Sequence, residues 1–318
     1  MKAPDRVVIA GATGFIGRAL VRELADNGYQ VVALTRHAAA NRTLVPDEAL
    51  PVEWDGRTAA GWGRHVDGAL AVVNLTGDSL AKGRWTRAKK ERILASRILP
   101  GEALVEAVEK ASARPRVFVQ GSAVGFYGDP GEAEIDEDSP AGAGFLAGVV
   151  RAWEDSTRKV EALGVRRVVI RSGLVLGCGG GVWPSLARPF RFFIGGPIGT
   201  GRQWFSWISL EDEVRAIRFL ISQDGLAGPF DLTAPRPLRQ RELCRTVGRA
   251  LRRPCWAPVP VVLLKVLFGA KAGETLLVSQ RVLPRRLLAA GFTFRHPEAA
   301  AAVAAIVRSE LPAGSPAG

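Results

Sequence analysis

Short apolar runs alternate with segments of helical spacing along the first half of the chain. Arg6–Ala10 and Gln30–Thr35 are rich in β-branched and apolar residues, and the segment 17–27 between them carries its leucines at helical spacing. The alternation continues, with strands predicted at 51–54, 69–75, 116–121 and 165–171 and helices at 86–111 and 144–163. Strands separated by helices predict an α/β fold with a doubly wound parallel sheet, covered by helices on both faces.

The character of the sequence changes after residue 172. Eight glycines and three tryptophans fall between positions 177 and 207, a composition typical of loops that shape a cleft or a lid. Helices are predicted again at 210–222, 239–251, 261–268, 284–290 and 297–310, with a short strand at 230–232. The pattern predicts a doubly wound domain over 1–172 completed by parts of 203–235, a small mixed C-terminal lobe over 173–310, and a disordered tail over 311–318.

Composition places the chain among ordinary packed proteins. It has 318 residues, of which 47% are hydrophobic and 23% charged. No apolar run is long enough to span a bilayer, and the N-terminus lacks the apolar core of a signal peptide, so we expect a cytoplasmic protein. Cys178, Cys244 and Cys255 are odd in number and widely spaced, so they predict neither a disulfide framework nor a metal site.

The net charge of +12 raises the possibility of an anionic partner. The arginines are scattered through every predicted element and no nucleic-acid recognition motif is present, so we expect neither a nucleic-acid nor a membrane partner. One cluster stands out at the start of a predicted helix, formed by Arg84, Arg87, Lys89, Lys90 and Arg92. It is either a solvated helix face or a rim that attracts an anion.

Glycines at positions 11, 14 and 17 fill the turn between the first strand and the first helix, with Thr13, Phe15 and Ile16 among them. This arrangement lets the backbone approach a pyrophosphate, which the helix N-terminus attracts through its unpaired N–H groups. Gly17 then allows the helix to pack closely against the strand. The segment predicts a dinucleotide-binding loop of the Rossmann type, the alternative being glycines that serve only a tight turn.

The residues after the second and third strands bear on which dinucleotide binds. Thr35 is followed by Arg36, where an acidic residue would hold the ribose 2′-hydroxyl of NAD and a cation accommodates the 2′-phosphate of NADP. Arg36 therefore favours NADP(H) unless it is an ordinary surface arginine. Asp55, which precedes a glycine, either accepts a hydrogen bond from the adenine amino group or belongs only to a turn.

Further contacts to the cofactor are predicted after the fourth strand. Leu75, Thr76 and Gly77 follow that strand at the carboxyl edge of the sheet, where open α/β proteins bind their ligands. Lys82 and Arg84, in the next loop, could supply positive charge to phosphates or to a substrate anion, or could simply be solvated.

Several motifs together resemble a known family. The glycine loop, the segment Asn74-Leu75-Thr76-Gly77 and the segment that runs from Ser122 to Gly128 are similar to those of extended short-chain dehydrogenase/reductases. Later segments resemble, more narrowly, the atypical epimerase-family 39U proteins of the NAD-dependent epimerase/dehydratase family, which carry a C-terminal DUF1731-like segment. These are Arg84-Trp85, Phe145-Leu146, Trp153-Glu154, the glycine-rich stretch 195–203, Trp207-Ile208 and the stretch 279–284. The resemblance covers about residues 6–305 and implies a Rossmann domain with a small C-terminal substrate lobe.

The proton-transfer pair of the wider superfamily is missing. Most relatives use a Tyr-x-x-x-Lys pair, in which the lysine lowers the pKa of the tyrosine so that it acts as a base. Aligning Glu154 with the acid that commonly follows this pair puts Leu146 and Val150 at the tyrosine and lysine positions. Neither side chain can transfer a proton.

Other side chains must then handle the proton in any reaction. Tyr127 and Ser122 follow the fifth strand and are our candidates for the polar groups nearest the nicotinamide, although Tyr127 as a packed aromatic fits the sequence equally well. The residues predicted to line a substrate cleft are Arg171, Gln203, Trp204 and Trp207.

These observations lead to a specific functional hypothesis. We expect an NADP(H)-dependent oxidoreductase or epimerase-like protein that acts on a small carbonyl or hydroxyl compound, with Tyr127 or a bound water handling the proton. The alternative is a non-catalytic NADP(H)-binding sensor or scaffold, which the missing pair favours. The oligomeric state, monomer or homodimer, stays open.

Overall fold

The structure, a computed structural model, describes residues 5–47, 49–81 and 83–310, with the backbone alone at 265, 267, 268 and 270. The strands of this part are β1 (Arg6–Ala10), β2 (Gln30–Thr35), β3 (Ala49–Glu53), β4 (Ala71–Asn74), β5 (Val117–Ala123), β6 (Glu134–Ile135), β7 (Arg166–Ser172), β8 (Leu174–Leu176), β9 (Trp204–Phe205), β10 (Trp207–Ser209), β11 (Gly228–Leu232), β12 (Leu238–Arg239) and β13 (Arg281–Val282). The helices are α1 (Phe15–Asp26), α2 (Arg87–Lys110), α3 (Phe145–Asp155), α4 (Lys159–Ala162), α5 (Trp183–Arg191), α6 (Leu210–Ser222), α7 (Gln240–Leu251), α8 (Val261–Phe268), α9 (Ala270–Thr275), α10 (Arg285–Ala289) and α11 (Ala299–Glu310).

Seven strands form one sheet in the order β11-β7-β5-β4-β1-β2-β3. The pairs β1–β2, β2–β3, β1–β4 and β4–β5 are parallel, as expected for strands joined by helical crossovers. The predicted doubly wound α/β fold is therefore confirmed. The strand order reverses between β1 and β4, and ligands bind beside such a reversal at the carboxyl ends of the strands.

The chain divides into two compact units. The first contains the described residues up to Phe126 together with Phe145–Arg171 and Val214–Phe230, and the second contains the rest. The boundary predicted at residue 172 coincides with one change of unit, but 127–144 belongs to the second unit and not to the first. The predicted tail, 311–318, lies outside the described residues.

The first unit is held together by apolar side chains on both the strands and the helices. In α1 the buried positions are Gly17, Leu20, Val21 and Leu24, which is the one-face spacing that predicted the helix. The strands contribute fully buried residues such as Val8, Val72 and Phe118 to a core that also contains Trp62. These contacts fix the carboxyl ends of the strands, where the candidate site lies.

The second unit has its own core, built on α5, α7 and α11. Trp183 and Phe190 from α5 pack with Leu243 from α7 and Val303 from α11, and all four are buried. Helix α5 was not predicted, because its segment was interpreted from its glycines as cleft-forming loop. The helix contains two prolines, Pro184 and Pro189, and Pro184 stands in the first turn, where proline is tolerated.

Among the described residues, no helix combines the length and the apolar character that a membrane span requires.

Candidate functional site

The glycine loop between β1 and α1 makes a tight turn at the carboxyl edge of the sheet. Gly11 has a φ of 87°, and a Cβ there would lie 2.6 Å from the carbonyl oxygen of Leu75. The Gly14 N–H donates to the Gly11 carbonyl at 2.9 Å, and Gly14 is the N-cap of α1 without any side-chain cap. The first N–H groups of α1 therefore receive no hydrogen bond from a side chain of the N-cap residue.

Gly17 brings α1 into backbone contact with the loop. A Cβ at this position would lie 2.2 Å from the Gly11 carbonyl oxygen and 2.8 Å from the Ala12 Cα. No side chain fits such an approach, which is the close helix packing predicted for this glycine. Phe15 and Ile16, in the first turn, are half-buried.

A pocket of about 700 Å³ opens beside this loop in the first unit. Its walls contain the following residues from the predicted cofactor site: Gly11, Thr13, Gly14, Thr35, Arg36, Asp55, Leu75, Thr76 and Gly77. Phe15, Ile16 and Gly17 are not part of the wall, and Lys82 lies outside the described residues. Sequence reasoning missed other residues that line the pocket, among them His37, Asn41, Trp54, Arg57, Ser96 and Pro100. Arg92, which also lines it, belongs to the basic cluster for which an anion-attracting rim was one alternative.

Two arginines and a histidine line the pocket near the ends of β2 and β3. Arg36 is exposed, and His37 and Arg57 also line the pocket. Thr35 is buried and its Oγ1 accepts a hydrogen bond from Asn41 Nδ2 at 2.8 Å, which ties the loop after β2 to the strand end. Arg57 could have been found from its position two residues after Asp55, on the loop that follows the third strand.

Asp55 organises its own turn at the pocket wall. Its Oδ1 accepts from the backbone N–H groups of Arg57 at 2.7 Å and Thr58 at 2.9 Å, and its Oδ2 accepts from Thr58 Oγ1 at 3.0 Å. The Arg57 N–H, followed by the Thr58 N–H, holds the pKa of Asp55 below its ordinary value. Asp55 therefore has the turn role that the sequence allowed, while still facing the pocket.

Two residues of the basic cluster at the start of α2 form ion pairs with the loop after β4. Asp78 accepts from Lys89 Nζ and Arg92 Nε, each at 2.8 Å, and its N–H donates to Ser96 Oγ at 2.9 Å. The Lys89 ammonium, followed by Arg92, lowers the pKa of Asp78 to about 2. Because this pKa is depressed in the folded state, the pair stabilises the fold above pH 3.8 and loses that effect as the pH falls towards 2.

The ends of β4 and β5 are locked together by buried amides. Asn74 pairs with Gln120 in the sheet, and Asn74 Nδ2 donates to Gln120 Oε1 at 3.0 Å. Asn74 Oδ1 accepts from Thr76 Oγ1 at 2.6 Å, which orients Thr76 on the pocket wall. Ser122 stands two residues beyond Gln120 in β5, at the same edge of the sheet.

Ser122 joins a buried ion pair formed by Glu154 and Arg171. Ser122 Oγ donates to Glu154 Oε1 at 2.5 Å. Arg171 Nε donates to the same oxygen at 2.9 Å and Arg171 Nη2 donates to Oε2 at 3.1 Å, a two-point contact. The Arg171 guanidinium also stacks over the Phe126 ring at 3.5 Å. The serine hydroxyl thus contacts a fixed carboxylate, a role for Glu154 that the sequence did not predict.

Leu146 and Val150 face the turn that follows β5. A Cβ at Gly125 would lie 3.8 Å from Val150 Cγ2 and 4.0 Å from Leu146 Cβ. These aliphatic side chains lie close to the end of the strand that carries Ser122, so no tyrosine or lysine is supplied there by α3.

Tyr127 lies in the second unit and is 3% exposed. Its hydroxyl lies 2.9 Å from both carboxylate oxygens of the fully buried Asp231, to which it donates. The Asp231 N–H in turn donates to Glu137 Oε1 at 3.1 Å. The Tyr127 hydroxyl is therefore bound to a buried carboxylate, which agrees with the packed aromatic that the sequence also allowed at this position.

Three of the four residues predicted for a substrate cleft make their contacts within the second unit. Trp207 is fully buried in the core of the second unit, where Nε1 donates to the Arg236 carbonyl at 3.1 Å, and this corrects its assignment to a cleft. Trp204 is half-buried, with Nε1 donating to Glu132 at 3.0 Å. Gln203 Nε2 donates to the backbone carbonyls of Ile198 and Leu276, so this amide links two backbone segments. Arg171 belongs to the first unit and holds Glu154.

Comparison with known proteins identifies the family. The NAD dependent epimerase/dehydratase family matches residues 7–229, and a domain of unknown function, DUF1731, matches residues 259–306. An epimerase family protein of Mycobacterium tuberculosis is 40% identical over 290 residues, covering 91% of this chain and 93% of that protein. The human epimerase family protein SDR39U1 is 34% identical and covers 95% of this chain and 99% of its own length.

A crystal structure of human SDR39U1 with NADPH has a TM-score of 0.86 at 33% identity and covers 95% of this chain and 99% of that chain. The matches to the family and to these relatives extend over most of the sequence and include the glycine loop and the strand ends described above. The chain therefore belongs to the NAD dependent epimerase/dehydratase family, within the SDR39U1-like group that carries a C-terminal DUF1731 segment.

Proposed function

We propose that this protein is an NADP(H)-dependent oxidoreductase that acts on a small carbonyl or hydroxyl compound. The observation that carries the proposal is the pocket at the reversal of strand order, which has a glycine loop at one side and Arg36, His37 and Arg57 at another. The human relative with a TM-score of 0.86 is crystallised with NADPH.

The residues of the pocket fit the chemical groups of NADP(H). Gly11 and Gly14 leave the space that a pyrophosphate needs in front of the uncapped N-terminus of α1. A 2′-phosphate next to Arg36 would meet a cation that can bind two of its oxygens. Thr76, whose hydroxyl donates to Asn74, can offer its Oγ1 as an acceptor to the cofactor at the end of β4.

We propose that the Ser122 side chain transfers the proton in the reaction. The cofactor, when bound, supplies or accepts a hydride. When a substrate hydroxyl is oxidised, it would give its proton to Ser122 Oγ while Ser122 passes its own proton to the Glu154 carboxylate. Carbonyl reduction would use the same relay in reverse, with the proton moving from Glu154 through Ser122 to the substrate oxygen. Arg171 holds the Glu154 carboxylate in one orientation through two contacts.

Replacing Arg36 with alanine is expected to weaken NADPH binding about tenfold, or about 1.4 kcal/mol, and to leave NADH binding unchanged, because only NADPH carries the 2′-phosphate. Isothermal titration calorimetry of both variants with both nucleotides measures this difference. Arg87→Ala is the matched control, since Arg87 is exposed and not part of the pocket wall. Equal losses for both nucleotides would remove Arg36 from the 2′-phosphate site.

Replacing Ser122 with alanine is expected to slow NADPH oxidation with an accepted carbonyl substrate about a hundredfold, since a positioned proton donor contributes about that much. NADPH affinity should stay the same. Tyr127→Phe is the comparison: it removes a hydroxyl at a buried site and should lower stability but not the rate per folded molecule. A panel of aldehydes and ketones, followed by NADPH absorbance, provides the substrate.

A second candidate is a non-catalytic NADP(H)-binding sensor or scaffold. The aliphatic pair Leu146 and Val150, facing the turn after β5, favours it, because the usual proton-transfer groups are absent from these two positions. Tight NADPH binding without oxidation across the carbonyl panel would support the sensor and contradict the oxidoreductase.

A further inference from the structure

Large apolar side chains are exposed in two stretches of the second unit. Phe192 and Trp256 are each 66% exposed and Val262 is 72% exposed. We use the name apolar patch for the seven exposed side chains of these stretches: Phe192, Phe193, Ile194, Trp256, Val262, Leu263 and Val266. The other exposed large hydrophobic side chains of the described residues are scattered singly, as is usual on a protein surface.

Backbone pairing brings the two stretches side by side. The Trp256 N–H donates to the Gly195 carbonyl at 3.0 Å, and Trp256 Nε1 donates to the Phe193 carbonyl at 2.9 Å. A Cβ at Gly196 would lie 2.1 Å from the carbonyl oxygen of Ala257, so the two backbone segments are in direct contact at this point. These contacts therefore place Phe193 and Trp256 beside each other, and α8 begins five residues after Trp256.

The α8 part of the patch has the geometry of a helix with one uncovered apolar face. Val262 and Val266 are four residues apart and Leu263 is three residues from Val266, so they form a single stripe. Leu264, which points away from this stripe, is buried. The helix thus anchors itself through one face and leaves a second apolar face uncovered in this chain.

The sequence segments that form the patch contain arginines and no acidic residue. The sequence contains no aspartate or glutamate between Glu161 and Glu211, or between Glu242 and Glu274. Arg188 and Arg249 are exposed on the helices that flank the patch.

Two further arginines adjoin the patch directly. Arg253 stacks over the Phe193 ring at 4.4 Å, and Arg191 pairs with Glu310 at 2.6 Å. An apolar surface with a cationic border fits a partner that offers both apolar material and negative charge.

We propose that the apolar patch binds the surface of an anionic phospholipid bilayer. Aromatic and aliphatic side chains would enter the boundary between headgroups and acyl chains, and the arginines would contact lipid phosphates. A second copy of this chain is the less favourable occupant, because two identical cationic borders repel each other. The sequence led us to expect no membrane partner because the arginines are scattered along the chain; the proposal departs from that expectation because four of them lie around the patch.

Flotation of the full chain with phosphatidylcholine vesicles, with and without phosphatidylglycerol, tests the proposal. We expect at least about tenfold more protein on the anionic vesicles, a fraction that falls as salt is added. The variant Trp256→Ser/Val262→Ser should lose this binding, and Arg188→Glu/Arg249→Glu should lose its dependence on anionic lipid. The exposed Leu50→Ser, in the first unit, is the matched control and should bind as the wild type does.

Thermal unfolding of each variant shows whether it is folded, and the substituted side chains are exposed, so the midpoints should match the wild type. The proposal is overturned if wild-type protein does not float with anionic vesicles, or if Trp256→Ser/Val262→Ser floats as well as Leu50→Ser. It is also overturned if sedimentation velocity shows a wild-type dimer that the Trp256→Ser/Val262→Ser variant loses, because the patch would then be covered by a second copy.

Discussion

A chain with alanine in place of Gly17 should bind NADPH at least about a hundredfold more weakly than the wild type, a loss of about 2.8 kcal/mol. The added Cβ would lie 2.2 Å from the Gly11 carbonyl oxygen, and both contacting groups are backbone, so α1 must move away from the loop. Moving α1 shifts the N–H groups proposed to bind the pyrophosphate. Calorimetric titration with NADPH measures the effect.

Gly28→Ala is the matched control for that experiment. Gly28 also stands at an end of α1 and has a φ of 82°, but a Cβ there would meet nothing within 4 Å. Its replacement adds backbone strain of about 1 kcal/mol and leaves the loop in place, so NADPH affinity should not change. If Gly17→Ala binds NADPH as tightly as Gly28→Ala does, the glycine loop is not the pyrophosphate site.

Replacing Arg171 with methionine should lower the free energy of unfolding by about 3 to 5 kcal/mol. The substitution leaves the Glu154 carboxylate, whose side chain is 12% exposed, without the guanidinium that contacts both of its oxygens. Equilibrium unfolding in urea, followed by far-UV circular dichroism at neutral pH, measures the change.

Two further variants test whether the loss of stability comes from leaving the buried Glu154 charge unpaired. Adding Glu154→Gln to Arg171→Met should recover part of the loss, because an amide costs less to bury unpaired than a carboxylate does. Arg87→Ala breaks the exposed pair with Glu91 and should change the stability by less than about 0.5 kcal/mol. If Arg171→Met and Arg87→Ala lowered the free energy of unfolding by similar amounts, burial of the Arg171–Glu154 pair would not explain the effect.

The fold could be predicted because the doubly wound sheet depends on local periodicity. The spacing of Leu20, Val21 and Leu24 specifies the buried face of α1, and the β-branched run at 6–10 specifies the central strand. Helix α5 was missed because glycines flank it on both sides and suggest a loop. Its nine residues are stabilised as a helix by the packing of Trp183 and Phe190 in the core of the second unit. Local propensity carries little information where tertiary contacts decide.

The residues that line the pocket were largely predictable from the sequence, and the hydrogen-bond partners of Ser122 and Tyr127 were not. Residues such as Gly11, Arg36 and Thr76 follow strand ends directly, so their place at the edge of the sheet follows from the topology. The contacts of Tyr127 with Asp231 and of Ser122 with Glu154 join residues 104 and 32 positions apart. Pairings at such separations depend on how the elements pack, which a single sequence does not reveal.

The strand at one edge of the seven-stranded sheet is synthesised long after the strand beside it. The edge strand β11 (Gly228–Leu232) lies beside β7 (Arg166–Ser172) in the sheet, although more than fifty residues separate them along the chain. A nascent chain that has left the ribosome only as far as β7 therefore exposes the unpaired backbone of that strand. Until β11 emerges, this edge is open to pairing with other chains, so translation through 173–227 is the interval in which aggregation competes with folding.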